Sequence, residues 1–192
     1  MQIVPLGISG AWLVSSQIFA DERGTFREWF KLDEIRQKTG IDFPVEQANI
    51  STSKKGSLRG IHYSLVNIGQ AKWITCIAGR VIDLVIDIRP NSPTFKKYEF
   101  IDLSGEDGQS VLVGAGLGHG YLSLEENSTI SYLLSSPYSP TEEYEINPMD
   151  PELAIKWPLE LLGDGAELVM SQKDMNAPSI QERQVQGKLP KK

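Results

Sequence analysis

Over residues 45–134 the chain is a succession of short apolar runs separated by turn residues. The clearest run is 81–88. There Ile82, Leu84, Ile86 and Ile88 fall on one face, and Val81, Asp83, Val85 and Asp87 on the other. A period of two marks a strand, because successive side chains point to opposite faces. Similar runs at 45–51, 58–63, 71–78, 97–103, 109–113, 119–124 and 129–134 predict further strands, with Gln47 and Asn49 sharing a face. Gly79-Arg80 lies between the runs at 71–78 and 81–88, a spacing that predicts a tight hairpin. Residues 53–57 read as a basic turn and 66–70 as a loop.

Upstream, residues 1–20 predict one or two short strands, Asp21-Glu22-Arg23-Gly24 a turn, and the aromatic stretch 25–30 another strand. Leu32–Thr39 has a helix pattern with Gly40 as its stop. Beyond Pro137 the chain is loop-rich, with prolines at 140, 148, 151 and 158. The polar tail after Pro178 predicts partial helix over 180–186 and fraying at Lys191-Lys192. Many short strands at such spacing predict an all-β antiparallel sandwich or barrel with few short helices. No internal repeat or linker divides the chain, so the expectation is one domain over 1–192, its core at about 21–178 and its tail at 179–192.

Composition narrows the partners. A net charge of -6 lacks the basic footprint that nucleic acid requires, yet leaves room for a small anion held by local arginines and lysines. No apolar run approaches the ~20 residues of a membrane span. The start of the chain lacks the pattern of a signal peptide. Cys76 is the single cysteine, so a reducing cytoplasm is the expected setting.

The candidate chemistry centres on Gly56-Ser57-Leu58-Arg59-Gly60-Ile61-His62-Tyr63. On a regular strand, Arg59 and His62 would face opposite ways. They serve one cavity if Gly60 bends the strand, as a glycine at a bulge does. Without that bend, the segment reads as an edge strand with a solvated arginine. The chain has two histidines, His62 and His119, and no His-x-His pair, which is too few donors for a catalytic metal. The glycine-rich run 114–120 leads into a strand pattern rather than a helix, so it is not a phosphate loop. No Gly-x-Ser-x-Gly nucleophile elbow occurs. What remains is a metal-free acid and base set: His62, Lys72, His119, Tyr132, Tyr138 and Asp174.

These residues sit in a run of motifs that resembles the dTDP-4-dehydrorhamnose 3,5-epimerases. The motifs, in order, are Asp21-Glu22-Arg23-Gly24, Leu58-Arg59-Gly60-Ile61-His62-Tyr63, Gln70-Ala71-Lys72, and Asp83 to Arg89 with Ser92-Pro93-Thr94-Phe95. Gly118-His119-Gly120, Tyr138-Ser139-Pro140, Asp150-Pro151 with Trp157-Pro158-Leu159, and Ser171 with Lys173-Asp174 follow. The resemblance implies a cupin-type jelly roll, a homodimer, and a dTDP-linked 4-keto-6-deoxy sugar as substrate, with no metal and no organic cofactor. It implies His62 as general base, Asp174 as its carboxylate partner, Tyr132 as the opposing proton donor and Lys72 at the sugar C4 oxygen. Arg23, Glu28, Gln47, Asn49 and Arg59 would hold the nucleotide and diphosphate. Phe26 and Tyr138 would flank the thymine, and His119, Glu143 and Lys173 would complete the pocket. In the family the segment from Arg23 to Glu28 reaches across a dimer interface.

The chemistry suits these residue types. An imidazole has a reference pKa of about 6.5, and a cation at the enolate oxygen makes a proton beside a ketone removable. Inversion needs an acid opposite the base, and a phenol of pKa about 10 is protonated at neutral pH. Departures from the commonest pattern lie at 66–69, at 114–117, and at Leu133, Leu134 and Pro137. Double inversion at C3 and C5 is the expectation. The alternatives are C3-only epimerisation, a ketoisomerase, or a sugar-nucleotide binding module.

Overall fold

The computed structural model describes residues 1–67 and 69–191. Residue 68 of the loop expected at 66–70, and Lys192 of the tail, lie outside the described residues. The strands are β1 (Gln2–Pro5), β2 (Ala11–Ser15), β3 (Ile18–Asp21), β4 (Gly24–Arg27), β5 (Gln47–Ser53), β6 (Leu58–Ser64) and β7 (Lys72–Ala78). They continue as β8 (Arg80–Asp87), β9 (Tyr98–Ser104), β10 (Gln109–Val113), β11 (Leu117–Ser123), β12 (Ser128–Leu134) and β13 (Glu143–Glu145). Short helices α1 (Leu32–Thr39), α2 (Gln172–Met175) and α3 (Ile180–Val185) complete the chain, with a 3-10 turn at Leu159–Leu162.

Two antiparallel sheets face each other in a jelly-roll sandwich. One has the order β1-β2-β10-β7-β12-β5 and the other β13-β6-β11-β8-β9. Three apolar layers hold them. The inner layer joins Ile74, Cys76, Val111, Val113 and Ile130 of the first sheet to Val81, Val85, Ile101, Leu103 and Leu117 of the second. Outside the first sheet, Trp73, Leu112 and Leu133 pack under Ile35 of α1 and under Phe43. Outside the second, Leu58, Ile61, Tyr63, Ile82, Leu84 and Ile86 lie beneath Ile146, Trp157, Leu162, Ile180 and Leu189. The long C-terminal segment is therefore a cover for one sheet, and the tail is anchored: Leu189 is buried, and the Tyr63 hydroxyl donates to the Lys188 carbonyl.

Several sequence expectations change. The hairpin at Gly79-Arg80 does not form: among the described residues, β7 pairs with β10 and β12, and β8 with β9 and β11. Both edges of each strand are already taken, so Gly79, at φ 69°, carries the chain from one sheet to the other. The strand expected at 25–30 stops at Arg27, and residues 1–20 hold three strands. β3 and β4 form a hairpin apart from both sheets. The strand β13 and the helix α2 went unforeseen, being too short for periodicity to show.

The bend at Gly60 is present. His119 pairs with His62 and Tyr121 with Arg59, so the register shifts by one residue between them. Gly60 has φ 115°, and a Cβ there would lie 2.6 Å from Gly120 Cα and 2.7 Å from the His119 carbonyl oxygen. β6 lies between β13 and β11, so it is not an edge strand. Leu58, Ile61 and Tyr63 turn to the outer layer while Arg59 and His62 turn inward. Gly60→Ala is expected to lower stability by about 1–3 kcal/mol, the usual cost of forcing a side chain into such a backbone. For a chain of this size each kcal/mol shifts Tm by about 2–4 °C, so a calorimetric melt within 1 °C of wild type would contradict the close-approach account.

Candidate active site

A cleft of about 480 Å³ opens between the sheets. Its lining includes Asn49 from β5, Arg59 and His62 from β6, Lys72 from β7, Tyr132 and Leu134 from β12, Tyr138, Glu143 from β13, and Lys173 and Asp174 from α2. A deeper recess of about 140 Å³ adds His119 and Tyr121 to Arg59, His62, Lys72 and Tyr132. Nine residues expected from the resemblance line the main cleft, and His119 lines the recess below it. Gln47 lies behind Asn49, donating to its Oδ1 at 2.9 Å.

His62 and Asp174 form a tight pair, Nε2 to Oδ1 2.7 Å. They are far apart in sequence, and α2 delivers the carboxylate. Its cap, Ser171, accepts from the Asp174 N–H at 3.0 Å. The His62 ring is partly exposed to the cleft, whereas Asp174 is buried. With Nε2–H donated to the carboxylate, Nδ1 keeps its lone pair. Burial pushes the Asp174 carboxyl up, but the His62 hydrogen bond and charge, with donors from Ser171 and the Gly60 backbone, hold it below its ordinary value.

Lys72 is buried on the same floor, its Nζ donating to the His62 carbonyl at 3.4 Å. Burial is the largest influence and lowers its pKa; the charges of Glu143 and Asp83 oppose that. Glu143 accepts from Gln70 Nε2 at 3.4 Å. Tyr132 lies across the sandwich, on the opposite sheet from His62, and burial raises its phenol. Arg59 is held through Nε by Ser53 Oγ at 3.0 Å, and Ser53 also meets the Tyr121 hydroxyl at 2.9 Å. Lys173 pairs with Glu145 at 3.1 Å on the cleft rim.

Three expected residues stand elsewhere in this chain. Arg23 pairs with Asp21 at 2.5 Å, Phe26 packs on Phe19 at 6.4 Å between centroids, and Glu28 pairs with Lys31 at 2.6 Å. All belong to the β3–β4 hairpin or its exit, away from the cleft. Sequence reasoning missed Asp83 as a site residue. It is fully buried on the inner face of β8 and takes His119 Nε2 at 2.7 Å. Its place on the Val81, Val85 face was the available signal: a carboxylate aimed into an apolar layer. Val169 and Met170, which also line the cleft, arrive on a loop tied to β6 by the Ser57–Val169 bridge, and no local pattern marks them. Among the described residues no group of three or more His, Cys, Asp or Glu side chains is placed to hold a metal ion.

The family model described as dTDP-4-dehydrorhamnose 3,5-epimerase matches residues 5–182. The chain belongs to the dTDP-4-dehydrorhamnose 3,5-epimerase family. A Streptomyces griseus dTDP-4-dehydrorhamnose 3,5-epimerase is 41% identical over 97% of this chain and 90% of its own length. The rmlC epimerase of Mycobacterium tuberculosis superposes with a TM-score of 0.94 at 40% identity, covering 99% of this chain and 94% of that one. A 3'-monoepimerase from Streptomyces bikiniensis, solved with dTDP-quinovose, gives 0.90 at 43% identity over 97% and 91%. The likeness spans both sheets and the C-terminal cover, so it includes the segments that carry every wall of the cleft. No helix among the described residues is long and apolar enough to cross a membrane.

The Asp174 pair makes a pH prediction. Its folded pKa is lowered from 3.8, so it stabilises the fold above that pH. This contribution is lost as pH falls through the folded value, where the carboxylate must take a proton. In urea melts from about pH 5 to pH 2, Asp174→Asn is expected to show a shallower loss of stability than wild type. An identical slope would contradict the pair's coupling to folding.

Proposed function

We propose that this family member inverts C3 and C5 of dTDP-4-dehydro-6-deoxy-D-glucose to give dTDP-4-dehydro-L-rhamnose. The observation that carries the reading is the placement of His62 and Tyr132 on facing sheets, with Lys72 on the floor between them. His62 Nδ1 takes the proton beside the C4 ketone, and the C–H electrons move into the carbonyl to form an enolate. The Lys72 cation stabilises the enolate oxygen in a site sheltered from water, where such a charge acts most strongly. Tyr132 Oη gives its proton to the carbon on the opposite face, which inverts it. His62 and Tyr132 then re-equilibrate with water, so neither is consumed and solvent hydrogen enters the product. Arg59 supplies a cationic partner for the diphosphate, and Lys173 completes the pocket.

Inversion at C3 alone is the second reading, favoured by the 43% identity to the S. bikiniensis 3'-monoepimerase. Proton NMR with the 4-keto sugar nucleotide in deuterated water separates the two. Deuterium at both carbons with the L-sugar formed is the expected result. Deuterium at C3 alone supports the second reading, and none at either carbon overturns both. His62→Ala is expected to reduce exchange at least ~10²-fold, the usual contribution of a general base.

A homodimer would bring the β3–β4 hairpin of one copy, with Arg23 and Phe26, to the cleft of the other. The exposed Phe19, Phe26 and Ile18 support a covered rather than a free hairpin. A fully active monomer in light scattering would contradict this. A reducing cytoplasm is the proposed setting, supported by the lone, buried Cys76 thiol.

Lys72 also sets an alkaline limit. Because its folded pKa is below 10.5, the cation is lost as pH rises through that lowered value. The alkaline limb of kcat/KM is therefore expected below pH 10.5, ahead of the raised Tyr132 phenol. In Lys72→Arg, which keeps its charge, the limb should move upward while kcat falls. An unmoved limb would assign it to another group.

A further inference from the structure

Tyr132 is flanked by a short chain of amides whose polarity the backbone determines. The Tyr138 backbone N–H donates to Gln47 Oε1 at 2.8 Å. A backbone N–H is a donor only, so the oxygen of the Gln47 amide must be the end that faces it. Gln47 Nε2 therefore points the other way, and it donates to Asn49 Oδ1 at 2.9 Å. That contact orients the second amide in turn, leaving Asn49 Nδ2 as the free end. In the β5–β12 pair, Asn49 lies directly opposite Tyr132, and Gln47 directly opposite Leu134. Asn49 and Tyr132 line the same cleft, and directly paired residues of an antiparallel ladder have side chains within contact.

We infer that Asn49 is a positioning residue that donates a hydrogen bond from Nδ2 to Tyr132 Oη, and so turns the phenolic proton toward the bound sugar. A phenol oxygen that accepts from an amide has its lone pair occupied and its own O–H free to point elsewhere. The opposite polarity, with Tyr132 donating to an amide oxygen, would hold the proton away from the substrate. The same donation stabilises the phenolate left after proton transfer. It opposes the burial that raises Tyr132, and hydrogen bonding to Asn49 acts on that phenol in the lowering direction. The relay also ties the acid to the cleft rim: its first donor is the Tyr138 backbone N–H, and the Tyr138 ring is half exposed at the cleft. Seating of a ligand against Tyr138 and orientation of the acid are thus linked through Gln47 and Asn49.

This inference rests on the reading of Tyr132 as proton donor, and its test keeps the two separable. The variants are Asn49→Leu, which keeps much of the shape, stays neutral and has no amide donor, and Gln47→Leu, which is neutral and cannot orient Asn49. Tyr132→Phe is the reference. The first readout is the titration of Tyr132 by NMR of tyrosine labelled with 13C at Cζ, in protein without ligand. An upward shift in Asn49→Leu and a smaller one in Gln47→Leu are expected. The second readout is the ratio of solvent exchange to inverted product in deuterated water. Asn49→Leu should follow Tyr132→Phe, keeping exchange by His62 while losing inversion about 10²-fold, the scale of a general acid. A Tyr132 titration unchanged in both variants, with altered KM as the only kinetic effect, would overturn the positioning role and leave Asn49 as a ligand contact. If Tyr132→Phe inverts normally, the proton-donor reading fails, while the titration still decides whether Asn49 donates to the phenol.

Discussion

The cleft depends on one close approach of backbone to backbone, where β6 passes β11 at Gly60 and Gly120. No side chain fits between them, and the strand bulges by one residue. Before the bulge, the odd-even rule sends Leu58 outward and Arg59 inward. After it, Ile61 and Tyr63 turn outward and His62 inward. A regular strand would bury the imidazole under Trp157 and Ile146 or expose Ile61 to the cleft. A slip of one residue is thus what makes a catalytic face compatible with a continuous apolar cover.

The sandwich then supplies what a single sheet cannot. A planar enolate has two faces, and two packed sheets approach it from two sides. β6 carries His62 and β12 carries Tyr132, with Lys72 of β7 below. The low-dielectric interior that strengthens the lysine's action also lowers its pKa, and the charges of two carboxylates, Glu143 and Asp83, oppose that lowering. Asp83 in turn meets His119 Nε2 at 2.7 Å on the floor of the recess.

Two of the shared motifs serve mainly as scaffold. Asp87 accepts from Arg89, Ser92 and Thr94, which explains the spacing of that motif, and these donors hold its carboxyl at about 2 against the opposing effect of burial. Asp150 accepts the Ile180 N–H at 2.7 Å, and Trp157 Nε1 donates to the Pro148 carbonyl at 3.0 Å; both fasten the C-terminal cover. The helix bearing Asp174 lies within that cover, between Trp157 and Ile180, so these distant contacts help fix where the partner of His62 stands.

Alternation along the chain was enough to locate most strands, to make Gly60 the suspect residue between Arg59 and His62, and to mark α1, because period and turn chemistry are local. The motif order identified the family and most of the cleft lining. Tertiary structure alone decided the rest. It sent β7 and β8 to different sheets, since pairing edges are allotted among strands far apart in sequence. It revealed the Asp83–His119 pair, joined only when β8 and β11 align in register. It also left Arg23, Phe26 and Glu28 outside the cleft of their own chain, because a hairpin's position depends on what it packs against, and nothing in its own pattern states that.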